Sequence, residues 1–293
     1  MQTSSQSSSK HIPVVVSAGI LALVLTAAVG GIWTTLLVAN LAISPAIPWA
    51  VAVMALLLWL MWQYLDGRWW PRSTSGARHR ALRAKPVSGQ TLAWAVIAGM
   101  LSIVALAGLW FVLFQLARIP ATRTLVDYSR YPLLSVALLL IMASLVSALP
   151  EEASFRGYFQ GSLEQRLSGP VAILIVALVM APEHALTQGF VWPTLVFYLF
   201  VDVMLGAMAY LTGSILPGIV VHSIGLLIFF TLVWPGDMIR RLVGVGSADA
   251  WFWIHLAQVA VFAALALLAF RRLARYAGYL TSADNDSTGN KEP

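Results

Sequence analysis

The sequence has no cysteine in 293 residues. That excludes disulfide frameworks and thiolate zinc sites outright. Charge is also scarce: 10% of the residues are Asp, Glu, Lys or Arg, against about 25% in a soluble globular chain. So few charges cannot cover a water-facing surface, which excludes both a soluble enzyme and a disordered chain. No internal repeat is evident, which argues against an inverted-repeat transporter. What the chain has instead is apolar length. Hydrophobic residues make up 59% of it, the mean hydropathy is +0.81, and several stretches run about 20 residues with almost no charge. It reads as an all-α, polytopic membrane bundle with spans too closely spaced for a separate soluble domain. The net charge of +6 would suggest nucleic acid in a soluble chain. Here the basic residues cluster between apolar spans, so the partner they imply is anionic lipid headgroups, not nucleic acid.

About eight spans can be read, at roughly 14–39, 46–65, 90–117, 131–150, 170–186, 191–212, 214–234 and 251–270. The fourth is expected to continue as a helix into the polar stretch behind it. Residues 1–12 and 281–293 read as polar, disordered tails around a single bundle at 13–280. The run from Pro13 to about Ile43 is too long for a signal-peptide core, so an uncleaved helix is expected. The 66–89 loop carries Arg68, Arg72, Arg78, Arg80, Arg83 and Lys85, and the segment after Phe270 carries Arg271, Arg272 and Arg275. An even number of spans puts these and both termini on one side, the cytoplasm of a multi-pass cell-membrane protein. Arg118, Arg123 and Arg130 in the next loop pull the other way. Trp192, Trp234, Trp251 and Trp253 lie near span ends, as an aromatic belt requires.

Ionisable residues inside spans are costly and default to functional candidates. Five places qualify: Glu151-Glu152-x-x-x-Arg156, Glu183-His184, Asp202, His222 and His255. On a continuous helix Glu152 and Arg156 are four apart, with the acid N-terminal to the base, which is the favourable order. Glu151 is turned about 100° away and stays available to a cavity, where it would serve as a general base. The bland alternative is an interfacial cluster that ends the span. His222 lies about eight residues into an apolar helix, where a neutral imidazole needs a partner or a water-filled cavity. His255, after Trp251 and Trp253, reads better as an interfacial anchor. Asp202, mid-span, either pairs with an Arg or a His or lines the same cavity. One Glu and two His on three helices form a set suited to activating water, and also a reasonable zinc set. The His-Glu-x-x-His helix motif of zinc proteases is absent. On these spans Glu151 closes its helix while His184 lies toward the far end of the next. The two meet only if the fourth helix begins lower or the fifth is short, tilted or kinked, and Pro150 and Pro182 are placed to supply such breaks.

Glu151-Glu152-Ala-Ser-Phe155-Arg156-Gly157-Tyr158 resembles the Glu-Glu-x-x-Phe-Arg-Gly signature of the CPBP family, which includes the type II CAAX prenyl endopeptidases and the Abi and bacteriocin-processing or immunity proteins. Met180-Ala-Pro-Glu-His184 resembles the second motif, with Met in place of the usual Phe. Gly206 to Pro217 and then His222 are similar to the third, except that Leu226 stands where the family has Asn. The resemblance spans about residues 130–235. It implies Glu151 as catalytic base, Glu152 and Arg156 as its motif partners, and His184 and His222 at the same centre. It implies as well a divalent metal, zinc first, on Glu151, His184 and His222, with a metal-free Glu/His mechanism as the alternative. The family Asn is thought to help hold the oxyanion. Leu226 cannot donate a hydrogen bond, and Ser223 or a backbone N–H is the substitute available.

The leading expectation is therefore an intramembrane endopeptidase that hydrolyses a peptide bond in a membrane-embedded or lipid-anchored polypeptide, a prenylated substrate being one family option. The alternatives are a non-catalytic scaffold or immunity-type protein, which Leu226 favours, and a proton-coupled transporter using Asp202, Glu183 and the histidines. Nothing in the sequence fixes the oligomeric state.

Overall fold

The fold was obtained as a computed structural model, which describes residues 12–117, 130–188, 190–233, 243 and 248–278. The expected tails at 1–11 and 279–293, Arg118, Arg123 and Trp234 lie outside the described residues. Among the described residues every regular element is helical. Helix α1 runs Ile12–Ile43, α2 Trp49–Leu65, α3 Ser75–Leu82, α4 Gly89–Leu116 and α5 Leu133–Glu151. A π-helical stretch Glu152–Phe159 carries α5 on into α6, Gln160–Glu164. Then come α7 Gly169–Gln188, α8 Trp192–Thr212, α9 Leu216–Ile228 with a π-helical end Phe229–Val233, and α10 Ala250–Tyr276.

Six of these helices are long and apolar enough to cross a bilayer, and the apolar parts of α2 and α7, Trp49–Leu65 and Gly169–His184, are shorter. At 1.5 Å per residue the 17 residues of α2 span about 25 Å, less than a hydrocarbon core of about 30 Å. Large apolar side chains point outward all along the bundle, among them Ile20, Val24 and Val38 on α1 and Val261, Leu267 and Leu268 on α10. Such a surface belongs against lipid, and the chain is a multi-pass membrane protein. Trp192, Trp251 and Trp253 are exposed at helix starts, where the belt was expected.

Local chemistry sets the helix ends. Ser88 accepts from the Thr91 N–H at 3.1 Å to start α4, and Asp249 accepts from the Phe252 N–H at 2.9 Å to start α10. Gly213, at φ +62, ends α8 in the left-handed conformation. Buried Asn40 ties the α1–α2 turn: its amide donates to the Ser44 and Ile47 carbonyls and its oxygen accepts from the Ala50 N–H at 2.8 Å.

The core lies between helices in patches. Val29 and Trp33 of α1, Met54 and Leu58 of α2, and Leu139, Met142 and Val146 of α5 form one. Ala22 of α1, Phe155 and Phe159 of the π-turn, and Val176 and Met180 of α7 form a second, which wraps the Glu-Glu motif. Trp110, Phe197 and Phe229 knit α4, α8 and α9 into a third. His255 does not enter these cores. Its Nδ1 lies 3.1 Å from Gln258 Oε1 and its ring tilts over Phe111, the position of an anchor near a helix start.

Candidate active site

The expected continuation of the fourth span is present, and it changes the place of Glu151. The apolar helix runs unbroken from Leu133 to Glu164, 32 residues, so Glu151 sits inside it and does not close it. The sequence-based placement at a span end is corrected accordingly. Pro150 removes one backbone donor from this helix. The Ser154 hydroxyl donates to the Pro150 carbonyl at 2.6 Å. From Glu152 the winding widens to the π form, a feature that marks functional sites in other helices.

The site lies where this turn meets α7 and α9. Glu151 Oε2 is 3.9 Å from His184 Nε2 and 3.8 Å from His222 Nε2. Glu152 Oε1 contacts His222 Nδ1 at 3.0 Å. Arg156, completely buried, donates from Nη2 to Asp202 Oδ1 at 2.6 Å and from Nη1 to the Met180 thioether at 2.8 Å. Its Nε stands 3.8 Å from Glu152 Oε1, so the expected i,i+4 pair is present but loose. The partner of Asp202, left open in the sequence, is Arg156. The His184 ring stacks on Tyr198 with centroids 4.0 Å apart and planes 17° apart, which fixes the imidazole plane.

Five sequence candidates thus come together: Glu151, Glu152, Arg156, His184 and His222. Three further residues contribute, of which Tyr198 and Gly218 carried no signal in the sequence. Met180, at the position where the resemblance expects Phe, supplies a sulfur to Arg156. Tyr198 orients His184. Gly218 leaves room for Glu152: a Cβ there would stand 2.6 Å from Glu152 Oε2, closer than real Cβ atoms come.

Beside the two imidazoles is a cavity of about 80 Å³. Leu106 of α4, Val201 and Met204 of α8, and Gly225, Leu226 and Phe229 of α9 are among its apolar walls, and His184 and His222 stand on its edge. Leu226 therefore faces the space next to the histidines with a side chain that offers no hydrogen bond. Ser223 does not line this cavity, and its buried hydroxyl has no hydrogen-bond partner.

Residues 133–228 match the family model described as type II CAAX prenyl endopeptidase Rce1-like. Over that stretch the chain is similar to a CAAX-protease domain. A search of the curated proteins and a search of the solved structures each found no match. The Rce1-like domain begins at the first residue of α5 and ends with α9, so it holds every one of the five candidates. It covers about a third of the 293 residues. The remainder still touches the site: α1 packs on the π-turn through Ala22, and α4 walls the cavity with Ile103, Leu106 and Ala107.

The donor types of Glu151, His184 and His222 suit zinc. Zinc bonds of about 2.0–2.2 Å in a tetrahedron put ligand atoms roughly 3.3–3.6 Å apart, whereas Glu151 Oε2 stands 3.8 and 3.9 Å from the two nitrogens. Among the described residues no group of three His, Asp or Glu side chains is arranged to hold a metal ion. As arranged, the three do not fit a bound metal.

Proposed function

We propose that this protein is an intramembrane endopeptidase that hydrolyses a peptide bond in a membrane-embedded or lipid-anchored polypeptide, prenylated proteins included. The observation that carries the reading is Glu151 Oε2, buried and held 3.8–3.9 Å from two imidazole Nε2 atoms inside a membrane bundle. Such separations are too long for direct hydrogen bonds and suit one bridging water.

The chemistry follows from the partners. The Glu152 carboxylate accepts from His222 Nδ1–H, which leaves the His222 Nε2 lone pair directed at the water. Glu151 takes the proton as the water oxygen attacks the carbonyl carbon. His184, held in plane by Tyr198, donates from Nε2–H to the oxyanion. The C–N bond then breaks, and the proton held by Glu151 passes to the leaving nitrogen. Arg156, paired with Asp202, holds Glu152 in place without touching the reacting atoms. The surrounding apolar walls keep bulk water away from the bond. The apolar cavity beside the histidines receives an apolar part of the substrate. In this reading the Arg-rich 66–89 loop and both termini face the cytoplasm.

The test is a comparison of membrane and secreted protein termini in cells carrying the wild type or Glu151→Gln at matched expression. Specific termini should disappear in the variant. Identical termini in the two strains would refute the peptidase reading.

A further inference from the structure

A charged side chain outside the Rce1-like domain is built into the floor of its site. We infer that Arg83, in the loop between α3 and α4, is a positioning residue that locks the π-turn carrying Glu151 and Glu152, an inference that rests on the peptidase reading above. The Arg83 guanidinium bridges three elements. Nη1 contacts Glu164 Oε2 at 2.9 Å and donates to the Arg156 carbonyl at 3.4 Å, and Nη2 donates to the Ala209 carbonyl at 3.2 Å. Its own carbonyl accepts from the Ile215 N–H at 3.2 Å. Two residues on, the Lys85 carbonyl accepts from the Ser214 hydroxyl at 2.6 Å. The loop thus fastens the π-turn, α6, the end of α8 and the start of α9 at one place.

Backbone and neighbours show that this seat is specific. Arg83 has φ +57 and ψ 26, the only positive φ at a non-glycine among the described residues. In that conformation Cβ crowds the following carbonyl oxygen, and glycine is the usual occupant after a helix. The arginine persists where its surroundings over-determine it. The catalytic helix is shaped to receive it. A Cβ on Gly157 would stand 2.8 Å from the Leu82 carbonyl oxygen, and one on Gly161 would stand 3.2 Å from Arg83 Cδ. These two glycines, four residues apart, form the groove in which residues 82–83 lie. Leu82 is completely buried there.

A π-turn is a rare winding that recurs at functional sites. Arg83 grips it at the Arg156 carbonyl and, eight residues on in α6, at Glu164. Glu151 and Glu152 sit at its other end, and a displacement of about 1 Å there is enough to cost a large factor in rate.

Arg83→Gly in the full-length protein is the decisive variant, because glycine removes the side chain and relieves the backbone conformation together. Arg83→Lys, which keeps the charge near Glu164, is its companion. Two readouts are needed: hydrogen–deuterium exchange of the backbone amides of 152–164, which requires no activity, and kcat and KM on a peptide substrate. The expected result is faster exchange confined to 152–164, kcat lowered at least about tenfold with KM unchanged, and partial recovery of both in Arg83→Lys. Unchanged exchange, or an unchanged kcat, would overturn the assignment. If the wild type cleaves no peptide, the peptidase reading falls, and the exchange measurement alone judges whether Arg83 holds the turn.

Discussion

Replacing Asp202 by Leu should unfold the protein far more readily than the loss of one surface charge would. Arg156 and Asp202 are 0% and 1% exposed, and their charge-assisted bond is 2.6 Å long. Another carboxylate near Arg156 is Glu152, whose Oε1 stands 3.8 Å from Nε, beyond hydrogen-bond reach. Asp202→Leu keeps most of the volume and removes the carboxylate that the guanidinium hydrogen-bonds. Breaking a buried pair from one side costs about 3–5 kcal/mol, whereas replacing both members by apolar residues is often neutral. Asp202→Leu is therefore expected to lose about 3–5 kcal/mol, and Arg156→Leu/Asp202→Leu to regain most of it. The assay is denaturant unfolding in detergent micelles, followed through the 12 tryptophans. Function should part from stability. In Asp202→Leu the unpaired guanidinium draws Glu152 away from His222 Nδ1, and in the double variant Glu152 has lost its cation, so both should have kcat lowered at least about tenfold. A single variant within about 1 kcal/mol of wild type, or a double variant no more stable than the single, would refute the reasoning.

Three further outcomes are expected. Gly218→Ala puts a methyl 2.6 Å from Glu152 Oε2, so the carboxylate must shift, and should lower kcat at least about tenfold while the protein still assembles in the membrane; a wild-type rate would show that Glu152 is not needed where it stands. Leu226→Asn adds a donor to the wall beside His184 and His222 and should raise kcat, by as much as the roughly 10²-fold that one oxyanion donor supplies; an unchanged or reduced kcat would show that the role is already filled. Protein purified without added metal should carry well under one zinc per chain by elemental analysis and keep its activity in a chelator. Stoichiometric zinc with chelator-sensitive cleavage would place the metal on Glu151, His184 and His222 despite their spacing.

The sequence made the helices legible because a bilayer-spanning helix has a strong, one-dimensional signature: charge is absent for about 20 residues and returns at the ends. Pro13 to Ile43 and Pro132 to Pro150 show it plainly. The five candidate residues stood out for the complementary reason, since an ionisable group inside such a stretch has no cheap explanation. What could not be read was geometry made by several helices at once. Glu152 and Arg156 were expected to satisfy each other on one α-helical face. The π-winding instead loosens that pair, and Arg156 turns to Asp202, 46 residues away. Nothing in the spacing of Asp202 names its partner. Nor does any local pattern announce that Gly218 must be small for Glu152, or that Met180 is a sulfur ligand to a guanidinium.

The same limit explains the distance between Glu151 and His184. Read as separate apolar runs, their helices place the two residues at opposite ends, and the proline positions looked like the remedy. The structure meets one expected condition, since the apolar part of α7, Gly169–His184, is short, and it adds another. The polar side chains of Glu152, Arg156 and Gln160 do not leave the helix, because each has a polar partner inside the bundle: Glu152 has His222, Arg156 has Asp202, and Gln160 has the Gly206 carbonyl and Glu164. With those groups partnered, the span extends past the motif to Glu164, and Glu151 moves from its end to its interior, beside both histidines. The pairings that look structural are therefore what allow the Glu151 carboxylate to sit at that depth. A change that unpairs any of them should be felt at Glu151 before it is felt anywhere else.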